Sequence, residues 1–170
     1  LRVGYRDFRI PPKELIESLP QQLLMLQMAD SAFTDSIGWG LKSQLTAEQA
    51  LRCGVFIGLG LDHNTTNYHI RWYIHANAAQ WAQQLGLVLN ERELANWIAQ
   101  LCEAFGPALN ANRVMGGLGS ITASRIAREF SCGGPAVVFE SGETSGLSAL
   151  EAAMGALRTR QVDSALVGAV

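Results

Sequence analysis

A short polar turn between two apolar stretches is the part of this sequence best suited to chemistry. Residues 136–139 form an apolar run rich in β-branched side chains, bounded by Gly133-Gly134-Pro135. Such a run predicts a strand buried on both faces of a parallel sheet. A helical pattern begins at Leu147, and the start of a helix directs unpaired N–H groups and a positive dipole end into the turn before it. We therefore expect a site at residues 142–146, called the elbow below.

The helix predicted after the elbow is apolar on nearly every side. Its large apolar residues lie three or four positions apart, at Leu147, Leu150, Met154 and Leu157, and alanine and glycine fill most of the gaps. This pattern predicts a helix that is packed all round. Residues 165–170 form a second apolar strand, so the unit is βαβ and its crossover should be right-handed.

This βαβ stretch resembles the nucleophile region of the β-ketoacyl synthases of fatty-acid and polyketide synthases. The matching features are Gly134-Pro135, four strand residues, a small-residue elbow and the run from Asp163 to Val170. In that family the elbow carries a cysteine that accepts the growing acyl chain. Alignment on Gly134-Pro135 and on Leu147 puts Glu143 at the cysteine's position, and the residues that would form the elbow around it are Gly142, Thr144, Ser145 and Gly146.

Two further segments are similar to the same family. Residues 10–26 resemble a short helix followed by Pro20-Gln21-Gln22 and a long core helix, and residues 52–60 resemble a buried Gly-Val-Phe strand. The resemblance implies an α/β chain with a partial thiolase-like, layered α-β-α fold. We expect residues 1–170 to be a single partial domain, the N-terminal half of a ketosynthase-type fold, that is truncated at both ends.

Composition excludes several classes of function. The formal net charge is -2 and no dense basic patch is present, so nucleic acid is not an expected partner. No apolar stretch approaches the roughly 20 residues of a membrane span, and we expect a soluble, cytoplasmic protein. The three cysteines lack a CxxC spacing, which indicates buried free thiols rather than a zinc site or a disulfide framework. We expect neither a metal nor a cofactor.

Two other patterns are weaker signals. His63, His69 and His75 recur every six residues, a step of ~600° on a helix, so their imidazoles cannot converge on a metal. Residues 58–60 and 115–120 are rich in glycine, but neither completes a phosphate-binding motif. Close backbone packing explains these glycines better.

The resemblance implies a function that depends on Glu143. A carboxylate is a poor acyl carrier because its acyl adduct would be a reactive mixed anhydride. The elbow is similar to that of chain length factors, the non-condensing partners of ketosynthases. The glycine-rich run around Met115 to Arg128 also resembles polyunsaturated-fatty-acid-synthase-type and iterative polyketide assemblies. We therefore expect a catalytically silent subunit that pairs with an active ketosynthase and shapes the acyl-chain tunnel.

Two alternatives stay open at this point. Glu143 could replace the glutamine of loading ketosynthases that decarboxylate malonyl thioesters, although an ionised Glu143 would repel the malonyl carboxylate unless burial neutralised it. The chain could also be a purely structural module of a megasynthase. The family's two catalytic histidines would lie beyond the matching half.

The resemblance also implies partners. Acyl groups would arrive on the phosphopantetheine of an acyl carrier protein. The partner subunit would be an active ketosynthase or a second copy of the chain, and the strand at the two-fold interface would consist of Ala136, Val137, Val138 and Phe139.

Overall fold

A computed structural model of the chain describes residues 8–36, 46–60 and 68–170, which fall into two compact units. In the first unit, helices α1, α2 and α3 span Pro12–Glu17, Pro20–Asp35 and Ala47–Leu51, and strand β1 spans Cys53–Gly58. The second unit contains α4 (His69–Gln84) and α5 (Glu91–Phe105). The chain then continues through α6 (Ala111–Gly117), α7 (Ile121–Glu129), β2 (Ala136–Phe139), α8 (Ser145–Arg158) and β3 (Ser164–Ala169).

The first unit is built on a parallel sheet with β1 at its centre. The strand order is β2-β1-β3, and Val55 pairs with Ala136 on one side and with Leu166 on the other. Every residue of β1 is buried. The sequence therefore predicts β1 correctly, as a continuous apolar run that lies inside a parallel sheet.

The side chains of β1 alternate between two hydrophobic clusters. Val55 and Ile57 pack with the apolar residues of α2 and α7. Phe56 points to the opposite face and packs with Ala149 and Ala153 of α8. The alternation follows from the period of two along a strand. Helices thus cover both faces of the sheet, which is the expected partial thiolase-like, layered α-β-α fold.

The expectation that α8 is packed all round is wrong for this structure. Small residues form the face that meets the sheet, and Ala149, Ala153 and Ala156 are buried. The four large residues face outward and are 40 to 68% exposed, namely Leu147, Leu150, Met154 and Leu157. The physical reason is the close approach of α8 to the sheet, which admits alanine and glycine but not leucine.

The expectation that residues 136–139 are buried on both faces is also wrong. β2 lies at the edge of the sheet, and Ala136 and Val137 are exposed. Val138 and Phe139 are half-buried and pack against the two clusters on opposite faces. An edge strand has one neighbour instead of two, so half of its backbone groups point away from the sheet.

Glycine at position 116 serves close packing, as the sequence predicts. A β-carbon there would collide with the carbonyl oxygen of Glu17. Gln22 is buried in the same place and donates from Nε2 to the carbonyl oxygens of Gly116 (2.8 Å) and Leu118 (2.9 Å). Pro20 is the first residue of α2, again as predicted.

The second unit is a pair of helices. α5 begins with a capping box, in which Asn90 Oδ1 accepts from the Glu93 amide at 3.0 Å and Glu93 Oε2 accepts from the Asn90 amide at 2.9 Å. Arg71 of α4 donates to the carbonyl oxygens of Cys102 (2.7 Å) and Gly106 at the end of α5. A cation at the C-terminus of a helix satisfies its free carbonyl groups.

Among the described residues, no helix is both long enough and apolar enough to cross a membrane.

Candidate functional site

The elbow lies at the carboxyl ends of the three parallel strands. Backbone hydrogen bonds join these ends: Leu59 N–H donates to Phe139 at 2.9 Å, and Val170 N–H donates to Gly58 at 3.0 Å. The elbow follows β2 directly and leads into the first turn of α8. Ligands of open parallel α/β sheets bind at this edge, where strands end and helices begin.

The buried hydroxyl of Ser145 holds the elbow closed. Its Oγ accepts the Ser141 amide hydrogen at 2.9 Å and donates to the Gly142 carbonyl oxygen at 2.6 Å. Gly142 has φ of 58°, a left-handed conformation that glycine adopts without steric cost. The chain therefore reverses sharply at Gly142. Gly146, in contrast, lies within α8 and is needed for close packing rather than for the turn.

The other hydroxyls near the elbow are also engaged locally. Ser141 Oγ lies 2.9 Å from Ser148 Oγ. Thr144 Oγ1 donates to the Ser141 carbonyl oxygen at 2.8 Å and lies 3.2 Å from Ser141 Oγ. Within the described part of the chain, neither a histidine nor a carboxylate hydrogen-bonds to any of these hydroxyls, so none is paired with the general base that a nucleophilic alcohol requires.

Glu143 is exposed and stands two residues before the start of α8. Its carboxylate has no hydrogen-bond or ion-pair partner among residues 8–36, 46–60 and 68–170. A negative charge next to a helix N-terminus is favourable, by about 0.3–1 kcal/mol at an exposed site. The side chain is thus free to meet a ligand or another chain.

The first turn of α8 rests directly on β1. A β-carbon on Gly58 would lie 2.5 Å from both the Gly146 nitrogen and the Ser145 carbonyl carbon. A β-carbon on Gly146 would lie 3.0 Å from the Ala169 side chain. Glycine at positions 58 and 146 therefore fixes the height of the elbow above the sheet, because any side chain would push the helix away.

The four residues of the expected interface strand do not share one environment. Val137 is 38% exposed, and Ala136 is exposed beside it. Val138 instead packs inward against the cluster around Val55 and Ile57. Among the residues that the structure describes, only the first half of β2 and its outer edge are left uncovered for another chain.

The histidines do not form a cluster. His69 and His75 lie six residues apart on α4, and His63 lies outside the described residues. His75 lines a cavity of about 410 Å³ in the second unit, together with Tyr68, Arg71, Trp72 and Leu109. In the parts of the chain that the structure describes, no group of three or more histidine, cysteine, aspartate or glutamate residues could hold a metal ion.

All three cysteines are free and buried, as the sequence predicts. Cys53 and Cys132 lie in one hydrophobic cluster. The hydrogen bond between their thiols raises the pKa of Cys132, and burial raises the pKa further. Cys132 is therefore a poor nucleophile, and no cysteine lies in the elbow.

Two ion pairs of α1 and the hydroxyl pair of Ser141 with Ser148 were not predicted from the sequence. Glu14 pairs with Arg125, and Glu17 pairs with Arg113 at 3.1 Å. Both glutamates lie on α1, three residues apart, and this spacing puts them on one helix face. The spacing is the only signal that could have found them, since the arginines are about a hundred residues away in sequence.

The family model described as the N-terminal domain of β-ketoacyl synthase matches residues 5–170. No curated protein matches the chain.

Proposed function

Because the chain belongs to the β-ketoacyl synthase family, we propose that it is a catalytically silent member, similar to a chain length factor. It pairs with an active ketosynthase or with a second copy and shapes the tunnel for the growing acyl chain. Acyl groups reach the pair on the phosphopantetheine of an acyl carrier protein. This chain itself uses no metal and no organic cofactor.

The observation that carries the proposal is the side chain at the elbow. The family's acyl-accepting cysteine corresponds to Glu143, whose exposed carboxylate stands before the first turn of α8. A thioester carries an acyl group stably, whereas a carboxylate would carry it as a mixed anhydride. The elbow thus has a turn and a helix N-terminus that suit an acyl site, but it lacks the sulfur atom that would bond to the acyl group.

The neighbouring side chains do not replace the missing thiol. Ser145 is buried, and its hydroxyl hydrogen-bonds to the backbone of Ser141 and Gly142. The hydroxyls of Ser141 and Thr144 lie within hydrogen-bond distance of each other, and Thr144 Oγ1 also donates to the Ser141 carbonyl oxygen. An alcohol needs an adjacent base to attack a thioester at neutral pH. The described residues supply none at this site.

The outer edge of β2 supports the pairing. Within the described sheet, this strand has a neighbour on one side only, and the apolar residues Ala136 and Val137 are exposed there. An uncovered strand edge is a template for pairing with another chain. We propose that the partner subunit covers it.

The decarboxylating alternative needs a neutral Glu143, and neutrality at pH 7 needs burial. The described residues leave the Glu143 side chain exposed. The structure therefore gives this alternative no support.

Intact-mass spectrometry tests the proposal. The protein is incubated with acyl-carrier thioesters and with thiol-directed ketosynthase inhibitors, and we expect no adduct on residues 141–145. Glu143→Cys should become labelled, without gaining condensation activity. An acyl adduct on residues 141–145 of the native chain would contradict the silent role and indicate a working transferase.

Glu140→Cys is the matched control. Glu140 is also exposed, but it lies three residues further from α8. A thiolate is stabilised at a helix N-terminus, so Glu143→Cys should be labelled faster than Glu140→Cys. The native cysteines are buried and should stay unlabelled in both variants.

A further inference from the structure

A cavity of about 300 Å³ lies in the first unit between α1 and α7. None of its lining residues belongs to the elbow or to β2, so it is independent of the proposed function. Part of its wall is apolar and is formed by Ile10, Pro11, Leu26, Met115 and Ile121. The remainder is formed by Ser124 and by five charged residues, Arg9, Glu14, Arg125, Arg128 and Glu129.

Arg125 is the buried cation of this wall. Its side chain is 10% exposed, and its Nη2 pairs with Glu14 Oε1. Its Nε is buried and has no hydrogen-bond acceptor in the structure. A buried N–H group that lacks an acceptor is unfavourable. A ligand that brings an acceptor oxygen to Nε would remove this penalty.

The carboxylates of the wall are already engaged. Glu14 pairs with Arg125, and Glu129, which is 9% exposed, accepts the Arg9 backbone N–H at Oε2 over 2.9 Å. The side chains of Arg9 and Arg128 have no hydrogen-bond or ion-pair partner in the described part of the chain. Three guanidinium groups face two carboxylates, so the wall has an excess of positive charge.

We propose that this cavity binds a small organic anion, a carboxylate or phosphate carried on a short apolar stem. The guanidinium groups recognise the planar carboxylate or the phosphate through paired N–H donors. The apolar wall takes the stem, as in most small-molecule sites. The volume is at the low end of ligand cavities, so the ligand has only a few carbon atoms beyond its charged group.

Calorimetric titration of the full chain tests this site with three compounds that share one stem. Hexanoate and hexyl phosphate carry the two candidate head groups, and hexan-1-ol carries no charge. We expect saturable binding of at least one anion at a single site and at least tenfold weaker binding of the alcohol. The preferred head group identifies the class of ligand.

Arg128→Gln is the informative variant. Arg128 is exposed, so its replacement should leave the melting temperature unchanged and weaken anion binding at least fivefold. Arg125→Gln is avoided, because it would leave the half-buried Glu14 without its partner and could prevent folding. Arg158→Gln, at the exposed end of α8 and away from the cavity, is the control and should bind like the native chain.

Three results would overturn the proposal. One is the absence of saturable binding of either anion at concentrations up to about 10 mM, because a specific site should have a lower dissociation constant than this. Another is equal affinity for the alcohol and the anions, which would indicate apolar contact alone. The third is an unchanged affinity in Arg128→Gln.

Discussion

A β-carbon on Gly58 would lie 2.5 Å from the backbone nitrogen of Gly146, so the central strand and the first turn of α8 touch through their backbones. Gly58 ends β1 and Gly146 is the second residue of α8. This contact brings the elbow down onto the carboxyl end of the sheet. Ser145, the residue before Gly146, then fixes the turn, because its hydroxyl accepts the Ser141 N–H and donates to the Gly142 carbonyl oxygen.

Gly58→Ala should lower the free energy of unfolding by about 2–3 kcal/mol, because the new methyl group meets backbone atoms that cannot rotate away. Urea denaturation monitored by circular dichroism measures the change. Gly155→Ala is the matched control: it lies within α8 with open space around it, and alanine there should raise stability by roughly 0.5–1 kcal/mol. Equal effects of the two substitutions would contradict the contact.

Ser145→Ala should destabilise the fold by about 1–3 kcal/mol, since it leaves the Ser141 amide and the Gly142 carbonyl without their partner in a part-buried turn. Amide hydrogen exchange at Ser141 should also become faster. Ser124→Ala removes one hydroxyl bond from the exposed surface of α7 and should change stability by less than about 0.5 kcal/mol. Unchanged exchange at Ser141 would show that Ser145 does not hold the elbow.

Val137→Asp should disperse the proposed dimer and raise its dissociation constant at least tenfold, because a charge on the exposed part of β2 must be desolvated on pairing. Analytical ultracentrifugation of the full chain measures this. Val138, in contrast, packs into the core, so a charge there would test folding instead of association. Val88→Asp, at a site 97% exposed in the second unit, is the control. A native chain that is monomeric at high concentration would argue against the proposed pairing with a second copy.

The pair of Arg52 and Asp163 should make stability depend on pH in acid. Arg52 donates to both carboxylate oxygens, at 2.5 and 2.8 Å, and these bonds lower the pKa of Asp163. A lowered pKa in the folded state means that the stabilisation is present above about pH 4, the pKa of an unfolded aspartate, and is lost as pH falls through the lower folded value.

Thermal melts of the native chain and of Asp163→Asn should therefore differ at pH 7 and converge in strong acid. The difference should be small, since the side chains of Arg52 and Asp163 are 40% and 63% exposed and solvent screens their attraction. An Arg52→Gln background should abolish it. A difference between the two melting temperatures that grows as pH falls would contradict a lowered pKa of Asp163 in the folded protein.

Local sequence patterns were sufficient for several elements of the first unit and for the family. The apolar run at β1, the proline that begins α2 and the βαβ pattern around the elbow each depend on neighbouring residues, and the structure has all of them. The identity of Glu143 at the elbow is likewise a property of the sequence alone.

Tertiary structure decided which faces are covered. The spacing of Leu147, Leu150 and Met154 indicates an apolar helix face. It does not predict that the alanine face of α8 packs on the sheet and that these larger side chains point outward. That choice depends on how closely α8 approaches β1, and Gly58, nearly ninety residues away, sets the distance. In the same way, a run of apolar residues predicted β2 but not its place at the edge, because strand order arises only when distant segments pair.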